Sequence, residues 1–200
     1  MNTYRNKFDG HMKSFGFDAE KAGSDYETLY NAHMTAKESN LGLIIFGDVG
    51  CGKSLAIKAM YPKMYAVNCS QHDAFDSLRF DDVIIDDLGI EELKQDFGIK
   101  REMFSEHIAQ RSFKMMERKI ADLIPIVKSI HYEETEEQLQ ERKSKYMAKF
   151  NVGRIYITTN LSLEQIGDKY GVRTLTRLSE MCVPCEFRGK NKRVWTTVPK

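Results

Sequence analysis

Apolar runs that break on glycine or on acids set the rhythm of this chain. The run Leu41-Gly-Leu-Ile-Ile-Phe46 stops at Gly47-Asp-Val-Gly-Cys-Gly-Lys-Ser54 and resumes as the helix-compatible Leu55-Ala-Ile-Lys-Ala-Met60. That order predicts a buried strand over 41–46, a glycine loop, and a helix from Lys53 to about Met60. Met64-Tyr-Ala-Val-Asn68 reads as a short second strand, with a brief helix from Ser70 through Leu78. Asp81-Asp-Val-Ile-Ile-Asp-Asp87 is a third strand that ends on two acids. A 3.6-residue period over 99–118, with Met103, Ile108 and Phe113 among its apolar positions, predicts an amphipathic helix. Arg154-Ile-Tyr-Ile-Thr-Thr159 is a strand, Ser162-x-x-Gln165 caps a helix, and 172–181 is helical. Short strands near 185–187 and 193–197 follow. Strands that alternate with helices argue for an α/β fold with a parallel sheet flanked by helices.

The first 40 residues are polar, with aromatics at Phe8, Phe15 and Phe17 and a helix from Asp25 for which Ser24-x-x-Glu27 offers a capping box. Residues 119–150 carry an apolar patch, Leu123-Ile-Pro-Ile-Val127, and then a charged helix-like stretch, and they read as an insertion. Over residues 117–149 seven acids meet seven bases, which suits either a solvated helical hairpin or a partner-binding arm.

Two hundred residues suffice for one well-buried core, and 42% hydrophobic with 30% charged residues describes a globular chain. No apolar run approaches a bilayer span and no signal-like stretch opens the sequence, so a cytoplasmic location without membrane contact is expected. The formal charge of +1 provides no bulk attraction to nucleic acid. Contact with single-stranded DNA would need a local patch. Of the four cysteines, Cys51 lies in the glycine loop, and Cys182-Val-Pro-Cys185 has redox or zinc spacing without the further ligands a zinc site requires. Reduced, structural thiols are the expectation.

The loop fits G-x-x-x-x-G-K-[ST], the phosphate-binding pattern. Gly47, Gly50 and Gly52 let successive backbone N–H groups turn toward phosphate oxygens, with Asp48, Val49 and Cys51 between them. The N-terminus of the following helix, through Leu55, adds positive dipole. Lys53 brings an ammonium to the β- and γ-phosphates of a nucleoside triphosphate, and Ser54 brings a hydroxyl to Mg²⁺. On the acidic strand, Asp86 is placed to hold Mg²⁺ and Asp87 to orient or deprotonate an attacking water. Asn160, at the end of another apolar strand, can position that water or the γ-phosphate without adding negative charge. A nucleoside triphosphate or its diphosphate with Mg²⁺ is therefore the expected ligand.

Four blocks in series, Gly47-Asp-Val-Gly-Cys-Gly-Lys-Ser54, Ile84-Ile-Asp-Asp-Leu-Gly89, Thr158-Thr-Asn-Leu-Ser162 and Tyr170-Gly-Val-Arg-Thr-Leu-Thr-Arg-Leu178, resemble the AAA+ replicative helicase loaders of the DnaC/DnaI type and the related IstB-type transposition ATPases. The similarity covers roughly residues 40–195. It implies an AAA+ core of the P-loop NTPase class over 41–200, preceded by an N-terminal extension over 1–40 that meets either a partner or the adenine side. By this resemblance Lys53 and Ser54 match Walker A, Asp86 and Asp87 match Walker B, and Asn160 matches sensor 1. Arg177 matches an arginine finger that completes a neighbouring subunit's site, with Arg173 its companion, and Arg193 is the candidate for sensor 2. Asp87 stands where broader AAA+ enzymes carry a glutamate, and few residues follow Arg177, so the helical lid is expected to be reduced or absent. The implied activity is ATP hydrolysis to ADP by an ATP-dependent homo-oligomer that loads or remodels a replicative helicase on single-stranded DNA. The alternatives are a transposase as partner, or a nucleotide-gated binding or inhibitor module with little catalysis.

Overall fold

A computed structural model describes residues 3–17, 19–70, 81–90, 94–96, 99–101, 103–123, 135–138, 140–141, 144 and 152–189. Three helices open the chain: α1 (Thr3–Ser14), α2 (Ala19–Ala22) and α3 (Ser24–Glu38). Strand β1 (Gly42–Gly47), helix α4 (Lys53–Met60) and strands β2 (Ala66–Asn68) and β3 (Val83–Leu88) follow. A two-stranded antiparallel ribbon, β4 (Lys94–Asp96) and β5 (Ile99–Arg101), precedes the long helix α5 (Met103–Leu123). Strand β6 (Ile155–Thr159), helices α6 (Leu163–Tyr170) and α7 (Val172–Met181) and strand β7 (Cys182–Phe187) complete the described elements.

The main sheet has five strands in the order β2-β3-β6-β1-β7, all parallel. Its central strands begin as apolar runs because both faces are covered, and β3 and β6 turn polar only at their carboxyl ends. Side chains alternate between two hydrophobic clusters, as a period of two requires. Leu43 and Ile45 of β1, Ile84 of β3, Tyr156 of β6 and Phe187 of β7 join α1–α4 in one cluster. Ile44, Ile85, Ile155 and Ile157 join α5, α6 and α7 in the other. Full burial of each such side chain contributes about 1.5–3 kcal/mol. The architecture is α/β, a parallel sheet between helical layers, and it is compatible with a P-loop NTPase fold.

Several expectations are corrected. The helix read from Ile99 begins at Met103, because Ile99–Arg101 pairs instead with Lys94–Asp96. Phe113, expected on the apolar face of α5, is 57% exposed. The Ser24 capping box does not form: Gly23, at φ 60°, is the N-cap and provides no side-chain bond. Glu27 turns instead to the Arg5 guanidinium on α1, which also lies 4.0 Å over the Tyr30 ring. The sequence predicts helix only from Asp25 within residues 1–40, yet α1 buries Phe8 and Met12, and Phe17 is buried before α2. The Ser162–Gln165 capping box forms as expected. Residues 119–123 complete α5, Thr135 and Gln138 exchange capping hydrogen bonds, and most of the 119–150 insertion lies outside the described residues. So do the helix expected after Ser70 and the strand expected at 193–197.

Candidate functional site

Strand β1 ends where the glycine loop begins, and the loop must pass close to the neighbouring strand. Gly47 has φ 140°, and a Cβ there would stand 2.1 Å from the Phe187 carbonyl oxygen of β7. No other residue fits. Gly52, at φ 104°, is the N-cap from which α4 springs. Gly50 and fully buried Cys51 lie within the turn, while Asp48, Val49 and Leu55 are exposed at its rim.

Lys53 is 5% exposed, and its ammonium is enclosed by oxygens. Nζ donates to the carbonyls of Gly47 at 2.8 Å and Asp48 at 2.7 Å, and to Asn160 Oδ1 at 2.8 Å. Cys51 Sγ lies 3.7 Å away. The Asn160 contact joins the loop to the carboxyl end of β6, which the sheet order sets between β1 and β3. A buried cation must be compensated, and here neutral dipoles do it. That leaves an ammonium able to exchange these partners for an anion.

Asp86, 2% exposed, lies on the same face of β3 as Ile84, toward α4. Its Oδ1 accepts from Thr158 Oγ1 at 2.6 Å and its Oδ2 from Lys58 Nζ at 2.6 Å. Burial alone would raise the carboxyl pKa, but the hydrogen bonds from Lys58, Thr158 and Ser54 outweigh it and hold the group below its ordinary value. Asp86 is therefore a carboxylate, adjacent to the Ser54 hydroxyl.

Asp87 follows in a left-handed conformation, φ 59°. Between Ile85 and Leu88 β3 advances one residue more than β6 does, so Asp87 sits at a bulge. Its amide donates to the same Thr158 Oγ1 at 2.9 Å. Aspartate tolerates this region better than most residues, and a bulge re-aims a side chain. Asp87 is half-buried there.

The fold thus gathers Lys53, Ser54, Asp86, Asp87 and Asn160 at the carboxyl ends of β1, β3 and β6. It does not bring the arginines to this cluster. Arg173 is exposed and Arg177 half-buried on α7, a helix packed on α5, α6 and β7. Four residues apart, they share one face of that helix. Neither makes a hydrogen bond or ion pair among the described residues. Arg193 lies outside the described residues.

Sequence reasoning missed three members. Thr158 and Thr159 are fully buried. Thr158 ties Asp86 to the Asp87 amide, and Thr159 donates to the Leu88 carbonyl at 2.6 Å and accepts the Leu161 amide at 3.0 Å. Two hydroxyls at the end of an apolar strand were the available signal. Lys58 was the third, and its spacing of four from Ser54 places both on one face of α4.

The cysteine pair resolves differently from a redox or zinc motif. Cys182 and Cys185 are three apart on β7, an odd spacing, and belong to opposite hydrophobic clusters. They cannot pair or share a metal. Burial pushes both thiols up to about 12, and all four cysteines are free and buried.

Among the described residues no group of three or more His, Cys, Asp or Glu side chains could hold a metal ion. A divalent cation arriving with a polyphosphate needs less, one carboxylate and a hydroxyl beside the phosphates, and Asp86 with Ser54 supplies that. No helix among the described residues is long and apolar enough to cross a membrane. Compared with models of known protein families and with curated proteins, the chain matches none.

Proposed function

We propose that the protein binds ATP with Mg²⁺ at the 47–54 loop and hydrolyses it, as an ATPase of the helicase-loader type. The observation that carries this reading is the convergence on one ammonium: Lys53 is held by its own loop and by Asn160, at the end of the strand next to the one that enters the loop. A glycine turn with only a structural role would not need an almost fully buried lysine compensated by carbonyls.

In this reading Lys53 trades its carbonyl partners for β- and γ-phosphate oxygens, and loop amides and the α4 N-terminus hold the rest of the anion. Mg²⁺, when bound, neutralises charge on the phosphates, with Ser54 and Asp86 as the residues that would hold it. Thr158 fixes the Asp86 carboxylate, and Asp87 accepts a proton from the attacking water. Asn160, released from Lys53, orients that water or the γ-phosphate. Arg177 and Arg173 make no hydrogen bond or ion pair with their own loop among the described residues, which suits a guanidinium supplied to the next subunit of a head-to-tail assembly.

The test is fluorescent ATP binding and phosphate release by the wild type and by Lys53→Ala. The variant should lose affinity by roughly a hundredfold, the scale of one buried charge-assisted contact to a phosphate. Equal binding by both proteins would remove the site. On this reading the protein meets a replicative helicase on single-stranded DNA. Co-purification of a transposase instead, or binding without turnover, would select the alternatives.

A further inference from the structure

Lys58 has no place in the hydrolysis scheme, yet it makes a 2.6 Å ion pair with the most buried carboxylate of the cluster. Oδ2 of Asp86 goes to Lys58 and Oδ1 to Thr158, so both carboxylate oxygens are engaged. Thr158 sits on β6, fully buried, and is a fixed part of the wall. Lys58 is not fixed. Its side chain is 52% exposed, and its stem lines a groove of about 330 Å³ with Phe15, Leu55, Tyr61 and Met64. A long stem of this kind lies along apolar surface while its ammonium stays wet, so it has an outward position to move to. Ser54, four residues before it, points at the same carboxylate.

We propose that Lys58 is a resident counter-ion of Asp86 that a divalent cation must displace. The inference rests on reading Asp86 as the metal carboxylate and adds how the metal is admitted. Without nucleotide the ammonium neutralises Asp86 and the protein binds divalent cations poorly. The cation takes Oδ2 only when phosphate oxygens complete its coordination, and the Lys58 ammonium then swings to solvent with its proton retained. Metal and nucleotide therefore load together, and free Mg²⁺ does not occupy the site first.

The experiment titrates Mn²⁺ into nucleotide-free protein, reading free ion by electron paramagnetic resonance. Lys58→Met keeps the stem and removes the charge, and should bind Mn²⁺ about tenfold more tightly than wild type, the scale of one charge-assisted hydrogen bond. Lys58→Met combined with Asp86→Asn should lose that gain. Equal affinity in wild type and Lys58→Met, or a gain that survives Asp86→Asn, overturns the proposal. A second measurement needs no variant. Acylation of lysine amines in the wild type, read by mass spectrometry against exposed Lys63, should show Lys58 becoming more reactive when Mn²⁺ and ATP are added. Unchanged Lys58 labelling with Mn²⁺ bound overturns it equally. Because the titration contains no nucleotide, a protein that shows the Lys58→Met gain but never releases phosphate would sink the ATPase reading and leave this one standing.

Discussion

Arg111 Nε donates to His107 Nε2 at 2.7 Å, one turn apart on α5 and both buried. The same guanidinium donates to the carbonyls of Gly153, just before β6, at 2.7 Å and Asp81, just before β3, at 2.9 Å. It therefore fastens the end of the sheet opposite the glycine loop. As an acceptor, His107 must be neutral, and burial together with the charge of Arg111 pushes its pKa down to about 4.

The sign of the pH dependence follows. Between about 4 and 6.5 the unfolded chain protonates this histidine and the folded one does not, so stability rises with pH through that window. The contribution is complete above 6.5 and is lost as pH falls toward 4, by at most about 3 kcal/mol. Urea titrations from pH 4 to 7 should show this slope, and His107→Gln, which retains an acceptor, should flatten it. His33, its pKa lowered by burial and by Lys37 and Arg154, leaves a residual slope of the same sign.

Asn160→Asp places a carboxylate where a neutral amide oxygen now meets Lys53 at 2.8 Å. The ammonium is then held more firmly and the anion it should release to is repelled. ATP affinity should fall by roughly tenfold or more, as one added buried charge implies. An affinity equal to wild type by fluorescence titration would separate Asn160 from the nucleotide.

Asp87→Asn keeps the size of the side chain and its tolerance of φ 59° but removes the base. ATP should bind with near wild-type affinity while phosphate release slows by about 10²–10⁴, the range of a general-base contribution. Unchanged turnover would move that role to another residue.

Arg177→Ala should retain nucleotide binding and lose turnover by about 10³ or more, if a guanidinium in trans completes the site. Mixing it with Asp87→Ala protein should restore part of the activity, since each supplies what the other lacks. Full activity of Arg177→Ala at dilutions that dissociate any oligomer would refute the assignment.

The central strands and the loop were legible because both signals are local. A strand covered on both faces must be continuously apolar, as residues 41–46 and 83–85 are, and the turn that follows β1 admits only glycine at Gly47. The Ser162 cap was equally local. What escaped depended on partners distant in sequence. Glu27 had a capping position within reach, yet Arg5 took it, 22 residues away. Ile99–Arg101 continued the helical period of α5 but found a strand to pair with. Lys58 carried no local signal, because only the fold brings Asp86, 28 residues on, to within 2.6 Å. Thr158 likewise gains its significance from a carboxylate on the adjoining strand.

The N-terminal segment backs the glycine loop through an aromatic contact. Phe17 stacks on Phe187 at 6.2 Å and on Tyr26 at 5.9 Å, and the Phe187 carbonyl is the wall against which Gly47 turns. Just beyond, the buried Asp25 carboxylate accepts the amides of Arg188 and Gly189 at 2.9 and 3.0 Å. A shortened chain starting at β1 would strip the backing from this wall and lay Phe187 and Cys185 open to water. Engineering a minimal version must begin upstream of Phe8, since the foundation of the loop was laid before the loop itself.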